Sequence, residues 1–119
     1  MFPQNYRDRY QKFQEILEVL QQRSVEEPVD SVKLQNIFAR VRQIFQSEIA
    51  SLSGDDLDPP TASRMQSYLT EINKQLRLLE VDFTFLQAAR QPATVKTRLA
   101  QINTRLQTLI GYSQAVLAG

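Results

Sequence analysis

Apolar side chains recur every three or four positions along nearly the whole chain, and the recurrence breaks at three places. Tyr6, Tyr10, Phe13, Leu17 and Leu20 are spaced 4-3-4-3, the signature of an amphipathic helix. Pro3 suits its first turn, where a missing N–H costs nothing. The segment ends near Arg23, before SVEEPVD and Pro28. A second segment opens at Asp30 or Ser31, either able to cap it, and its seam is Leu34, Phe38, Val41 and Phe45, widened by Ile37 and Ile44. The repeat then falls on Glu48, and Ile49 takes the apolar role, a slip expected of a helix returning to 3.6 residues per turn.

SLSGDDLDPP reads as a loop. After it, with Thr61 as the candidate cap, Met65, Leu69, Ile72, Leu76, Leu79, Phe83 and Leu86 hold 4-3 spacing without a break. QPAT turns the chain, with Pro92 stopping one helix and Thr94 placed to cap the next. Val95, Leu99, Ile102, Leu106, Leu109 and Val116 form the last seam, Ser113 its one polar member, with Ile110 and Leu117 beside it. The pattern predicts an all-α, antiparallel four-helix bundle with helices at approximately 3–23, 31–52, 61–90 and 94–117. The third helix is long, about 43 Å, against about 30 Å for the first.

The third helix carries a second stripe. Taking about 100° per residue from Leu76, the seam spans about 280–360°, while Leu78, Val81, Phe85 and Ala88 span about 120–200°. In a square bundle this second stripe faces water, and monomers seldom leave such a patch open. Either the third helix is central, covered on both faces, or the stripe meets another copy or another protein. Phe85 is the best single anchor, because large aromatics contribute most at interfaces.

Length and composition narrow the class. The 119 residues, 42% hydrophobic and 23% charged, suit one globular domain spanning 1–119. Cysteine and histidine are both absent, which removes the thiol nucleophile, the imidazole base and the usual zinc, haem and di-iron ligands. Asp55, Asp56 and Asp58 lack the spacing of a calcium loop and read as a solvated turn. No enzyme, cofactor or metal is expected. Nor is a membrane span or signal peptide, so the expected location is the cytoplasm.

Charge is uneven. Residues 1–60 carry seven basic and ten acidic side chains, residues 61–119 seven and three, and nothing acidic follows Asp82. Packing of the acidic half against the basic half accounts for this. A basic strip on the fourth helix, offered to an acidic partner, accounts for it too. A weak nucleic-acid binder using Arg90, Lys96, Arg98 and Arg105 is an alternative, although no recognition motif accompanies the charge. Asp82 and Arg98 fall at flanking positions and are expected to pair at the surface, for less than about 1 kcal/mol.

The run LQAARQPAT, then Arg98, then RLQTLIGY, together with NYRDRYQKFQEIL near the start, resembles the PatD family of cyanobacterial heterocyst-frequency control proteins. The match covers roughly the last third of the chain. The resemblance implies a non-enzymatic regulator of heterocyst differentiation and cell division that acts on the tubulin-like division-ring protein FtsZ. It points to Arg90, Arg98, Arg105 and Tyr112 as partner-contacting positions, whose alternative role is structural. A homodimeric scaffold without a developmental role is the competing reading.

Overall fold

A computed structural model describes residues 2–119. The helices are α1 (Gln4–Ser24), α2 (Ser31–Ile44), which runs on through a π-helical turn (Phe45–Ile49), α3 (Pro59–Ala88) and α4 (Pro92–Ala118). Hydrogen bonds show the directions. Gln35 bonds Gln87 and Arg42 pairs with Glu80, so α2 and α3 run oppositely. Gln21 bonds Gln107 and Ser24 bonds Asn103, so α1 and α4 do as well. α1 packs on α2 and α4, α3 packs on the same two, and α1 and α3 lie diagonally. The result is an antiparallel four-helix bundle with extents of 50 × 21 × 19 Å.

The seams are buried as their spacing predicts. Tyr6, Tyr10, Phe13, Leu17 and Leu20 of α1 meet Leu34, Phe38, Val41 and Phe45, with Met65, Ile72, Leu76, Leu79, Phe83 and Leu86 opposite. From α4 come Ile102, Leu106, Leu109, Ser113 and Val116. Leu69, Val95 and Leu99 are only partly covered, the last two because α1 ends before it reaches them.

Helix ends differ from expectation where proline is involved. Asp58, not Thr61, caps α3, its carboxylate accepting the Thr61 N–H at 3.4 Å with both prolines in the first turn. Asp30 caps α2 through the Lys33 N–H. Pro92 does not stop α3 but opens α4, and Gln91 rather than Thr94 stands at its cap. A residue without an N–H fits the first helical position better than any other. α3 accordingly ends at Ala88 and the connection is three residues long.

The slip at Glu48 also has a different cause. The Ala50 N–H donates to the Phe45 carbonyl at 2.8 Å, an i→i−5 bond that inserts one extra residue into the turn. Ile49 is thereby brought inward, fully buried. Glu48 turns out toward Lys12 at 3.3 Å and Arg9 at 3.9 Å. The Arg9 guanidinium donates to the Glu48 carbonyl at 3.0 Å and to Ser51 Oγ at 3.2 Å, satisfying a carbonyl that the helix end leaves free. Deleting Gln46 restores strict 4-3 spacing, so that variant is expected to fold with a melting midpoint within about 5 °C of the parent. Deleting Asn36 turns the seam downstream by about 100° and is expected to unfold the bundle; circular dichroism separates the two.

Phe2, Gly119 and the α2–α3 loop meet at one end of the bundle. Phe2, buried there, lies 6.3 Å from the rings of Tyr6 and Tyr68, and Tyr68 lies 5.8 Å from Tyr112. Arg64 sits over Phe2 at 5.7 Å and reaches Gly119. The Tyr6 hydroxyl donates to Asp56 at 2.6 Å, so the acidic loop is tied to α1 rather than freely solvated.

Burial raises the pKa of Tyr6, Tyr10 and Tyr112 above 10.0, with the Asp56 carboxylate adding to the effect at Tyr6 and Glu71 at Tyr112. Folding therefore favours the neutral phenols. Their contribution is intact below pH 10 and is lost as pH rises through the unfolded-state value towards the folded ones. Urea midpoints are expected to stay level to about pH 9.5 and then fall. Among the described residues the Tyr10 hydroxyl is buried without a partner, so Tyr10→Phe should flatten that fall at no cost in stability at pH 7.

Candidate interaction surface

The second stripe of α3 lies on the outside of the bundle. Among the described residues α3 packs side by side with α2 and α4 alone, so it is a corner helix, and the central-helix alternative does not hold. Val81 and Phe85 are 49% and 50% exposed. Ala88 is open and Leu78 is half-buried along the α4 edge.

One side of the stripe is built around a buried acid. Asp82 is 2% exposed, which corrects the expectation of a surface pair with Arg98. Its carboxylate accepts the Arg105 Nε–H at 2.5 Å and faces Arg98 Nη1 at 3.8 Å. Arg98 and Arg105 are seven apart on α4, two turns of one face, so they bracket the acid from either side. A carboxylate with two cations is tolerated in such a place where one with none is not. The other side of Arg98 covers Phe85, its guanidinium carbon 4.5 Å from the ring centroid. A cation over an aromatic face at a partly open site contributes about 1 kcal/mol. Asp82 thus fixes Arg98, and Arg98 fixes Phe85.

Leu78, Val81, Phe85, Ala88, Arg98 and Arg105 are therefore parts of one surface. Tyr112 is not: it lies at the opposite end of the bundle, packed at a tilt against Tyr68 and near Glu71. Arg90, in the α3–α4 connection, lines a groove of about 550 Å³ between the α1–α2 loop and the start of α4, with Val25, Val29, Val95 and Lys96. Three residues of the surface escaped the sequence reading. Asp82 was placed at its edge and not beneath it, and Lys74 and Arg77 were not singled out. Their signal is angular, since Lys74 at about 160° and Arg77 at about 100° fall on or beside the stripe.

Among the described residues no helix is long and apolar enough to cross a membrane. Nor does any group of three or more acidic side chains stand ready for a metal ion. An all-helical bundle with one organised apolar and basic face is the class these features define. Residues 9–113 match the CRR41 C-terminal domain, and the chain belongs to that family. The matched span runs through all four helices and includes the whole outer face of α3. No curated protein and no solved structure matches the chain.

Proposed function

We propose that this chain is a non-enzymatic, regulatory protein-interaction module that binds its partner through the outer face of α3 and Arg98 of α4. One observation carries the reading: Phe85 is half exposed yet held in place by Arg98, itself anchored on buried Asp82. An exposed aromatic that is already ordered loses little rotamer freedom on binding, which is what interface hot spots require. The nucleic-acid reading is weakened by the same contacts, because Arg98 and Arg105 are engaged with Asp82.

The resemblance to the PatD family supports FtsZ as the first partner to test, and with it a cytoplasmic role in division or heterocyst frequency. Purified FtsZ is titrated with the wild-type chain, Phe85→Glu and Arg98→Glu. The expected result is measurable binding by the wild type and a loss of about tenfold or more in each variant, with helicity unchanged. Equal binding by all three would remove this surface from the interaction, and no binding by the wild type would remove FtsZ. A wild-type dimer that Phe85→Glu converts to a folded monomer, seen by sedimentation, would favour the scaffold reading instead.

A further inference from the structure

We infer that the outer face of α3 is shaped for an acidic amphipathic helix of a different protein, lying lengthwise on the Leu78–Val81–Phe85–Ala88 stripe with its carboxylates reaching Lys74, Arg77 and Arg98. This deepens the interaction reading above and rests on it. The ground is the balance of free charge around the stripe. Lys74 and Arg77 are exposed and have no ion-pair partner among the described residues. Arg98 lies between Asp82, at 3.8 Å, and the Phe85 ring, and its side chain is still 31% exposed.

None of the acids of the same helix lies within the stripe. Glu80 is paired with Arg42 at 3.2 Å, Asp82 is buried, and Glu71 sits beside the Tyr112 hydroxyl. The face is therefore apolar along its centre, with Lys74 at its N-terminal end and Arg77 and Arg98 at its margins. A ligand helix that satisfies it presents an apolar ridge at i, i+3, i+4 and i+7 and carries Glu or Asp on either side.

The same charges speak against a second copy. In a two-fold antiparallel pairing centred on Val81, Arg77 of one copy lies opposite Phe85 of the other. That ring is already covered by Arg98, so the pairing sets cation against cation, while Glu80, the exposed acid nearby, is paired with Arg42. Like charges directly opposed across an interface disfavour that partner.

Two helical peptides of about 18 residues, about 27 Å long, test the inference. They share one Leu/Val ridge; one is flanked by Glu and the other by Lys. Anisotropy titrations use the intact chain, Phe85→Glu and Arg77→Glu, at low and physiological salt. The expected result is binding of the Glu-flanked peptide alone, weakened about tenfold by either substitution and weakened further by salt.

Equal binding of both peptides would overturn the acidic assignment while leaving the surface in use. Binding of neither would overturn the inference and remove this face as a helix-docking site, whereas binding untouched by Phe85→Glu would place the peptide elsewhere. A sedimentation dimer that Phe85→Glu dissolves would assign the face to a second copy.

Discussion

Phe45→Ala is expected to lower the unfolding free energy by about 4 kcal/mol, within the range measured for emptying a buried phenylalanine site. Phe45 is 1% exposed, and its ring lies 5.8 Å from that of Phe13 at an interplanar angle of 48°. It also opens the π-helical turn, its carbonyl accepting the Ala50 N–H. A void there is flanked by a helix that already carries one residue too many, so α2 cannot slide to fill it without withdrawing Ile49. The loss is a large share of the about 5–15 kcal/mol that domains of this size possess, and corresponds to roughly 15 °C in melting midpoint. Urea denaturation followed by circular dichroism measures it. A loss below about 1 kcal/mol would mean that the turn relaxes to a regular helix and closes over the gap.

Asp82→Ala is expected to cost about 2–3 kcal/mol. Breaking a buried ion pair from one side typically costs about 3–5 kcal/mol. Here the arginines left behind keep side-chain exposures of 31% and 20%, so each can turn part of the way to water and the loss is smaller. Removing the acid also frees Arg98 from its anchor, so the variant should bind partners less tightly although Asp82 touches none. The decisive measurement is a double-mutant cycle with Arg105→Leu. If the ion pair is the origin, Asp82→Leu combined with Arg105→Leu should recover much of the lost stability, because an apolar pair needs no counter-charge. A strictly additive pair of losses would show that each side chain contributes through packing alone.

The bundle was legible in the sequence because its information is local. Tyr6 to Leu20, Met65 to Leu86 and Ile102 to Val116 each repeat within their own helix, and each repeat alone says which side is buried. The π turn showed only as a mismatch between Glu48 and Ile49. A shift of one residue fits either a drifting α-helix or an inserted one, and only the hydrogen bond from Ala50 tells them apart. Pro92 was misplaced for a related reason, since proline ends one helix and begins another with equal ease.

The surface was half legible. The stripe from Leu78 to Ala88 follows from angle alone, but whether it is covered depends on which helices neighbour α3, a long-range property that periodicity does not encode. Asp82 is the clearest loss. An acid at a flanking position reads as exposed by type, yet two arginines from α4 close over it, and their joint effect exists only once α3 and α4 are side by side. The spacing of Arg98 and Arg105 was visible, as was the Asp82–Arg98 pairing, but nothing local joined the two observations.

The position of the chain ends has a consequence for how the molecule can be carried. Phe2 and Gly119 lie on either side of Arg64, at the end where α1 and α3 begin and α4 finishes. Phe85 and Arg98 lie towards the other end, near the α3–α4 connection. Any tether, tag or neighbouring polypeptide joined to either terminus is anchored at the same pole and leaves the opposite pole unobstructed. The stripe then lies in the half of the 50 Å bundle remote from whatever bears it. Two tethers, one from each terminus, would grip it at a single point and let it swing as one arm.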